Sequence, residues 1–144
     1  MSPWKRKEGC GLASHFGSLE LAILEVLWSR GEMDVADCLR LLAGDQAYTT
    51  VKTVMERLAK KGFLGRRKHS RSYVYWATRS RVEVAEEIAA AQTQQLVEGF
   101  GDLAVTHFVK SVRGNPEQVA QLRDLLADIA EGDHGEHPRT GGGA

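Results

Sequence analysis

The first half of the chain contains three stretches in which apolar residues recur with the period of an amphipathic helix. In the first stretch Leu19, Ile23 and Leu27 share one face, a pattern typical of a helix that packs on a core. Ser18 is its predicted N-cap, because a serine oxygen accepts hydrogen bonds from first-turn N–H groups. Residues up to about Gly17 show no such period, and we predict that they are loose.

The second helix is short, with Asp34 as its predicted N-cap and Cys38 on its apolar face. The third is predicted over residues 48–61. Its inward face consists of Val51, Val54, Met55 and Leu58. Its outward face consists of Thr49, Lys52, Thr53 and Glu56, with Thr50 and Arg57 beside them. The third helix therefore carries short hydroxyl side chains and cations on the face that does not pack.

Two segments, residues 63–68 and 72–78, follow this helix, and the second contains the run Tyr-Val-Tyr-Trp. Such residues favour strands, so the two segments predict a β-hairpin. Its tip is basic and lacks an Asn-Gly pair, so we predict a longer, mobile connection. Three helices followed by a hairpin is the order of a winged helix-turn-helix, whose third helix enters the DNA major groove.

The second half of the chain has a helical pattern. Ser80 and Glu83 form a capping box that begins a long helix, and Asn115 with Pro116 begins the last one. The last helix has an apolar seam of heptad-like spacing. These helices are too thinly apolar to bury that seam alone, so we expect a second copy of the chain to cover it. The residues predicted to form this homodimer are Ile88, Leu96, Phe108, Val119, Leu122, Leu126 and Ile129.

Together these elements predict a mainly α protein with a small β-hairpin wing. The predicted domains are a flexible basic N-terminal extension (1–17), a winged-helix DNA-binding domain (18–79), a helical dimerisation domain (80–131) and a disordered tail (132–144). No apolar run approaches the ~18 residues that a membrane span needs. The N-terminus also lacks the apolar segment of a secretory signal, and we expect a cytoplasmic protein.

The net charge of the 144-residue chain is zero, but its charges are unevenly distributed. Residues 46–79 contain nine cations and one acid, whereas residues 81–131 contain four cations and nine acids. A cationic helix and wing favour a polyanionic partner, here double-stranded DNA. The predicted DNA contacts are Thr49, Thr50, Lys52, Thr53, Arg57, Lys60, Arg67, Lys68 and Arg71. For Thr49 and Thr50, the alternative is that one of them only caps the helix.

Three stretches of the sequence resemble the BlaI/MecI type of penicillinase repressors: LELAILEVLW, YTTVKTVMERLAKKGFL and RSYVYWA. The resemblance implies a homodimeric repressor whose winged helices bind a palindromic operator and whose C-terminal helices dimerise. It places Thr49, Thr50 and Thr53 at positions that contact bases and phosphates, and Arg71 at the basic position of the wing. It also implies β-lactam-resistance or other stress genes as targets and a membrane sensor protease as a candidate partner.

Two departures limit what the resemblance implies. The copper-responsive branch of these repressors ends in a cysteine-rich metal hook, and this chain has no cysteine after Cys38. The penicillinase repressors are cleaved near an Asn-Phe bond, which is absent from the corresponding stretch EGFGDLAV. Relief by proteolysis and relief by another signal therefore both stay open.

Other chemistry has little support in the sequence. No Ser-His-Asp arrangement, glycine-rich phosphate loop or His-Glu-x-x-His motif is present, so we expect neither an enzyme nor a cofactor. His134 and His137 lie in a glycine-rich tail and would make a poor metal site. Two alternatives to a repressor stay open: a protein-interaction adaptor with a degenerate winged helix, and a redox or metal sensor that uses Cys10 or the histidine tail.

Overall fold

The computed structural model describes residues 10–133 of the chain. These residues divide into an N-terminal unit, which ends at Gln94, and a C-terminal unit, which begins at Gln95. In chain order the elements are α1 (Cys10–His15), α2 (Ser18–Arg30), β1 (Met33–Asp34), α3 (Val35–Leu41), α4 (Tyr48–Lys60), β2 (Leu64–His69), β3 (Ser72–Ala77), α5 (Arg81–Phe100), α6 (Asp102–Val112) and α7 (Pro116–Asp133).

The N-terminal unit packs its helices on a small antiparallel sheet with the strand order β1-β3-β2. The central strand β3 pairs on both sides, and its residue Tyr75 lies opposite Met33 of β1 and Arg66 of β2. The most deeply buried side chains are Ile23, Leu24, Val51, Met55, Leu58, Cys38 and Tyr75. The predicted mainly α fold with a hairpin wing is confirmed. Strand β1 was not predicted, because two residues are too few to show alternation.

Helix α1 corrects the prediction that residues up to about Gly17 are loose. Cys10–His15 is helical, and the side chains of Leu12 and Phe16 are buried in the core. The Phe16 ring meets the edge of Phe63, with 4.9 Å between the ring centroids. A helix of six residues has fewer than two turns, so no periodicity could be recognised in the sequence.

Three predicted helix starts are confirmed by their hydrogen bonds. The Asp34 side chain accepts from the N–H of Asp37 at 2.8 Å. The N–H of Glu83 donates to Ser80 Oγ at 3.1 Å, and the Ser80 N–H donates to the Glu83 carboxylate at 3.3 Å. The Asn115 side chain accepts from two first-turn N–H groups at 3.1 and 3.2 Å.

Two helix boundaries differ from the prediction: the N-cap of α2 and the last residue of α7. Ser18 is already helical, and the N-cap of α2 is Gly17, whose N–H donates to the Glu20 carboxylate at 3.0 Å. At the other end of the chain, α7 continues to Asp133, although the predicted tail begins at residue 132. The remainder of that tail, including His134 and His137, lies outside the described residues.

The beginning of α5 belongs to the core of the N-terminal unit. Val84 is buried there, and Ile88 packs partly buried against the same core. Just before the helix, the Trp28 indole N–H donates to the carbonyl oxygen of Arg79 at 2.9 Å. Ile88, predicted as a dimer contact, therefore has a packing role within its own chain.

The C-terminal unit has a different character, because its apolar side chains are largely exposed. Among its described residues, Val112 is the only large apolar side chain that is buried. No helix within residues 10–133 is long and apolar enough to cross a membrane.

Candidate nucleic-acid interface

Helix α4 is amphipathic, and its buried face consists of the residues that the sequence predicts. Val51, Val54, Met55 and Leu58 are buried in the core. The opposite face is exposed along its whole length and consists of Thr49, Thr50, Lys52, Thr53, Glu56, Arg57 and Lys60. All the predicted contact residues of this helix therefore reach the surface.

The start of α4 shows whether Thr49 or Thr50 is the N-cap of this helix. The N-cap is Ala47, which makes no side-chain cap hydrogen bond, and Tyr48 is the first helical residue. Thr49 and Thr50 are therefore second and third in the helix, and neither is its N-cap. Because an alanine cannot cap, the first-turn N–H groups and the positive end of the helix dipole face outward without a capping side chain.

The hydroxyl proton of Thr53 is already used in a hydrogen bond, although the side chain is exposed. Its hydroxyl donates to the carbonyl oxygen of Thr49, one turn earlier, at 2.8 Å. A threonine hydroxyl has one proton, so Thr53 keeps acceptor lone pairs and a methyl group for a ligand. In a major groove these suit the amino group of adenine or cytosine and the methyl group of thymine.

The wing is tighter than predicted. His69 ends β2 and Ser72 begins β3, so Ser70 and Arg71 alone form the turn. Ser70 has a φ of 58°, a left-handed conformation that closes the hairpin without the Asn-Gly pair expected for it. The prediction of a longer, mobile loop is therefore wrong. Lys68 and Arg71 are exposed at this compact tip.

Two arginines of β2 have partners inside the sheet. The Arg66 guanidinium lies over the Tyr73 ring, 4.4 Å from its centroid. A hydrogen bond with Tyr75 is the main cause that raises the pKa of Arg66. The Arg67 guanidinium makes two bonds to the Glu32 carboxylate, at 2.8 and 2.6 Å. These bonds are the main cause that lowers the pKa of Glu32 and raises the pKa of Arg67. Sequence reasoning missed Glu32, which is 35 residues away from Arg67.

The remaining predicted cations form no ion pair within the part of the chain that the structure describes. Within residues 11–132, ion pairs involve Arg40, Lys61, Arg67, Arg79 and Arg81. None involves Lys52, Arg57, Lys60, Lys68 or Arg71. These five predicted contact residues lie on the outer face of α4 and at the wing tip, where a polyanion would have access to them.

An open cleft of about 670 Å³ separates α4 from the wing. Its α4 side consists of Glu56, Ala59 and Lys60, and its wing side consists of Leu64, Arg66 and Tyr73. Glu56 is the only acid of α4, and within residues 11–132 no cation forms an ion pair with it. Its charge attracts the guanidinium of Arg66 across the cleft and contributes to the raised pKa of that arginine, so the exposed face of α4 carries one negative charge among several positive ones.

The described residues bear on metal binding and thiol chemistry, on which one alternative to a repressor rests. No group of three His, Cys, Asp or Glu side chains within them could hold a metal ion. Cys38 is fully buried, as its position on the apolar stripe predicts. Burial raises the pKa of its thiol to about 11, so this thiol stays protonated and unreactive. The side chain of Cys10, on which the redox alternative rests, lies outside the described part of the chain.

Most residues of the predicted dimer seam are exposed in the single chain. Leu96, Phe108, Leu126 and Ile129 are 53 to 67% exposed, and Val119 and Leu122 are half-buried. Further large apolar side chains are exposed in the same unit: Val97, Phe100, Leu103, Val105, Val109 and Leu125. An apolar surface of this extent is unusual on a protein that acts alone.

Comparison with known proteins shows the family of the chain. Residues 16–128 match the model of the family described as penicillinase repressor. The chain belongs to the penicillinase repressor family. The transcriptional regulator BlaI of Mycobacterium tuberculosis is 36% identical over 132 residues, which cover 89% of this chain and 94% of that protein. The penicillinase repressor of Bacillus licheniformis is 22% identical, over 76% of this chain and 87% of its own length.

Among solved structures, the YusO protein of Bacillus subtilis is similar over 84% of this chain and 79% of its own, with a TM-score of 0.45 and 16% identity. A similarity of this size does not bear on function. The family match and the curated relatives therefore support the resemblance that the sequence suggests, since both named relatives are regulators of transcription.

Proposed function

We propose that this member of the penicillinase repressor family is a homodimeric transcriptional repressor that binds operator DNA through α4 and the wing. The observation that carries the proposal is a set of exposed cations on α4 and the wing that lie in no ion pair within residues 11–132: Lys52, Arg57, Lys60, Lys68 and Arg71. Neutralising DNA phosphates releases condensed counterions, and this release supplies much of the affinity of such proteins for DNA.

Within this proposal, the threonines and the cations have different tasks. Thr49, Thr50 and Thr53 are short and lie on the outer face of α4, so they would let the helix approach the base edges of the major groove. The lysines and arginines would contact phosphates, which position the protein but carry no sequence information. Lys68 and Arg71 would extend these contacts beyond the groove that α4 occupies.

The exposed apolar surface of the C-terminal unit supports the homodimer. Leu122, Leu126 and Ile129 lie on one face of α7 at heptad-like spacing, and they would pack on the same residues of a second copy. A twofold axis makes each side of such an interface identical. Two winged helices related by this axis would bind two half-sites of a palindrome.

Release from the operator needs a signal, and we propose proteolysis triggered by a sensor protease as the first candidate. The segment between α5 and α6 supports this choice. Phe100, the last residue of α5, is 61% exposed, and Gly101 has a positive φ of 57°. The genes of β-lactam resistance are the proposed targets, and the proposed location is the cytoplasm, where the DNA lies.

The proposal is tested by measuring DNA binding as a function of salt, for example by fluorescence anisotropy on a duplex from the promoter of the chain's own operon. Each phosphate contact contributes about −0.9 to the slope of log K against log salt. Lys52→Gln and Arg71→Gln should each make the slope shallower by about 0.9. Arg113→Gln, which removes an exposed cation of the C-terminal unit, is the matched control and should leave the slope unchanged. A wild-type slope near zero would refute the proposal.

A further inference from the structure

The pair formed by Glu32 and Arg67 spans the outer face of the wing sheet. The two residues flank the central strand β3, because Arg67 lies on β2 opposite Val74 and Glu32 precedes β1 directly. Both terminal nitrogens of Arg67 donate to the carboxylate of Glu32, at 2.8 and 2.6 Å. The pair therefore links the two outer strands across β3, in addition to the backbone ladder.

A second observation shows that this face of the sheet is closely packed beneath the pair. Gly65 lies opposite Trp76, and a Cβ atom at Gly65 would come within 2.4 to 2.6 Å of the indole ring. The indole therefore lies directly on the backbone of β2. Arg67 lies over the same ring, 5.8 Å from its centroid. Glu32, Arg67, Trp76 and Gly65 thus form one layer, which we call the wing brace.

The position of the wing brace suggests what it does. The Arg67 and Glu32 side chains are 55 and 46% exposed, and ion pairs at such positions contribute little to global stability. Lys68 follows Arg67 directly, and Arg71 lies in the turn that follows β2. The brace therefore joins the strand that carries the wing tip to the segment before β1 in the body of the N-terminal unit.

We propose that Glu32 is a positioning residue for DNA binding, and that Arg67 acts through Glu32 and not as a phosphate contact. This inference rests on the proposed function. The pair with Glu32 engages one N–H on each terminal nitrogen of Arg67 and places a carboxylate against its positive charge, so Arg67 attracts a phosphate less strongly than an unpaired cation does. The brace fixes the orientation of the wing, so that Lys68 and Arg71 meet the DNA backbone without first losing conformational freedom.

The change in DNA affinity caused by Glu32→Gln distinguishes a positioning role of Glu32 from a purely electrostatic one. Removing an acid from a DNA-binding surface strengthens binding if charge alone counts, because repulsion of the phosphates falls. Positioning predicts the opposite, a loss of affinity of about fivefold, comparable to the coupling energies of residues in direct contact. Arg67→Gln should show a similar loss, and the double variant should be no weaker than either single variant.

The experiment measures the affinity and salt slope of wild type, the two single variants, the double variant and the charge reversal Glu32→Arg with Arg67→Glu. Lys68→Gln is the matched control for a phosphate contact and should make the slope shallower by about 0.9. The brace variants should weaken binding with the slope unchanged, and the charge reversal should recover affinity. Thermal unfolding close to that of wild type would show that the variants fold.

The inference is overturned if Glu32→Gln binds as tightly as wild type or more tightly, if Arg67→Gln makes the slope shallower like Lys68→Gln, or if the charge reversal binds more weakly than both single variants. In those cases wild type and Lys68→Gln still behave as the proposed function requires. If wild type itself fails to bind DNA, the proposed function fails, and the inference fails with it.

Discussion

The two units of this protein distribute apolar and charged side chains in opposite ways. The N-terminal unit buries its large apolar residues, such as Leu24 and Met55, and exposes on α4 and at the wing tip cations that form no ion pair within residues 11–132. The C-terminal unit buries Val112 and exposes apolar residues such as Phe108 and Ile129. The first unit therefore buries a hydrophobic core and presents positive charge at its surface, whereas the second unit buries little apolar area within the single chain. This difference suggests that the first unit needs a polyanion and that the second needs another protein surface.

The largest expected effect comes from the core of the N-terminal unit. Leu24 is fully buried, and Leu24→Ala should lower the free energy of unfolding by about 3 kcal/mol, because it removes apolar burial and leaves a cavity. Denaturation by urea measures the change. Val82→Ala, at a position that is 63% exposed at the start of α5, is the matched control and should change the stability by less than about 1 kcal/mol. Equal losses for the two variants would contradict a stability that comes from the buried core of the N-terminal unit.

The next effect concerns the exposed seam of the C-terminal unit. Leu126→Asp places a charge in the proposed dimer contact and should raise the dimer dissociation constant about 100-fold, because a buried carboxylate without a partner is costly. Sedimentation velocity over a range of concentrations measures this constant. Ala120→Asp, an exposed position of α7 away from the seam, is the control and should remain dimeric. A Leu126→Asp variant that dimerises like wild type would show that the seam is not the contact.

A smaller effect is expected for sequence recognition. Thr53→Val keeps the shape of the side chain but removes its acceptor oxygen, and it should weaken operator binding about tenfold while non-specific binding stays the same. Thr93→Val is a close control, because the Thr93 hydroxyl makes the same bond to a carbonyl one turn earlier, at 2.7 Å, on α5. Competition binding with operator and random DNA measures both affinities. Equal losses for the two kinds of DNA would assign Thr53 to a phosphate.

The smallest effect concerns the single acid of α4. Glu56→Gln should strengthen binding to DNA of any sequence about threefold, since it removes a repulsion between the carboxylate and the phosphates. Glu86→Gln, at an exposed position of α5, provides the control. A fall in operator affinity for Glu56→Gln would instead show that the carboxylate accepts a hydrogen bond from a base.

Sequence patterns were sufficient wherever a feature is local or strongly periodic. The inward face of α4 could be predicted from Val51, Met55 and Leu58, because their spacing matches the helical repeat. The caps at Asp34 and Asn115 could be predicted because the capping oxygen lies within three residues of its donors. The same reasoning located the cations of the wing, although it could not tell which of them are free.

The features that sequence reasoning missed depend on three-dimensional pairing or on very short elements. Helix α1 and strand β1 are too short to show a period. The bond between Glu32 and Arg67 depends on the register of β3 with both neighbouring strands, which the sequence does not specify. The N-cap at Gly17 was missed because glycine has no side-chain oxygen that could cap the helix. Its N–H instead donates to the side chain of Glu20.

The most direct test of the account is a hydroxyl-radical footprint of the wild-type protein on the promoter of its own operon, combined with the number of chains bound per duplex. We expect two chains per duplex and two protected half-sites related by a twofold axis, with centres about 10 base pairs or a multiple of that apart. Uniform protection without half-sites, or one chain per duplex, would contradict the account in which the N-terminal unit binds DNA and the C-terminal unit joins two copies.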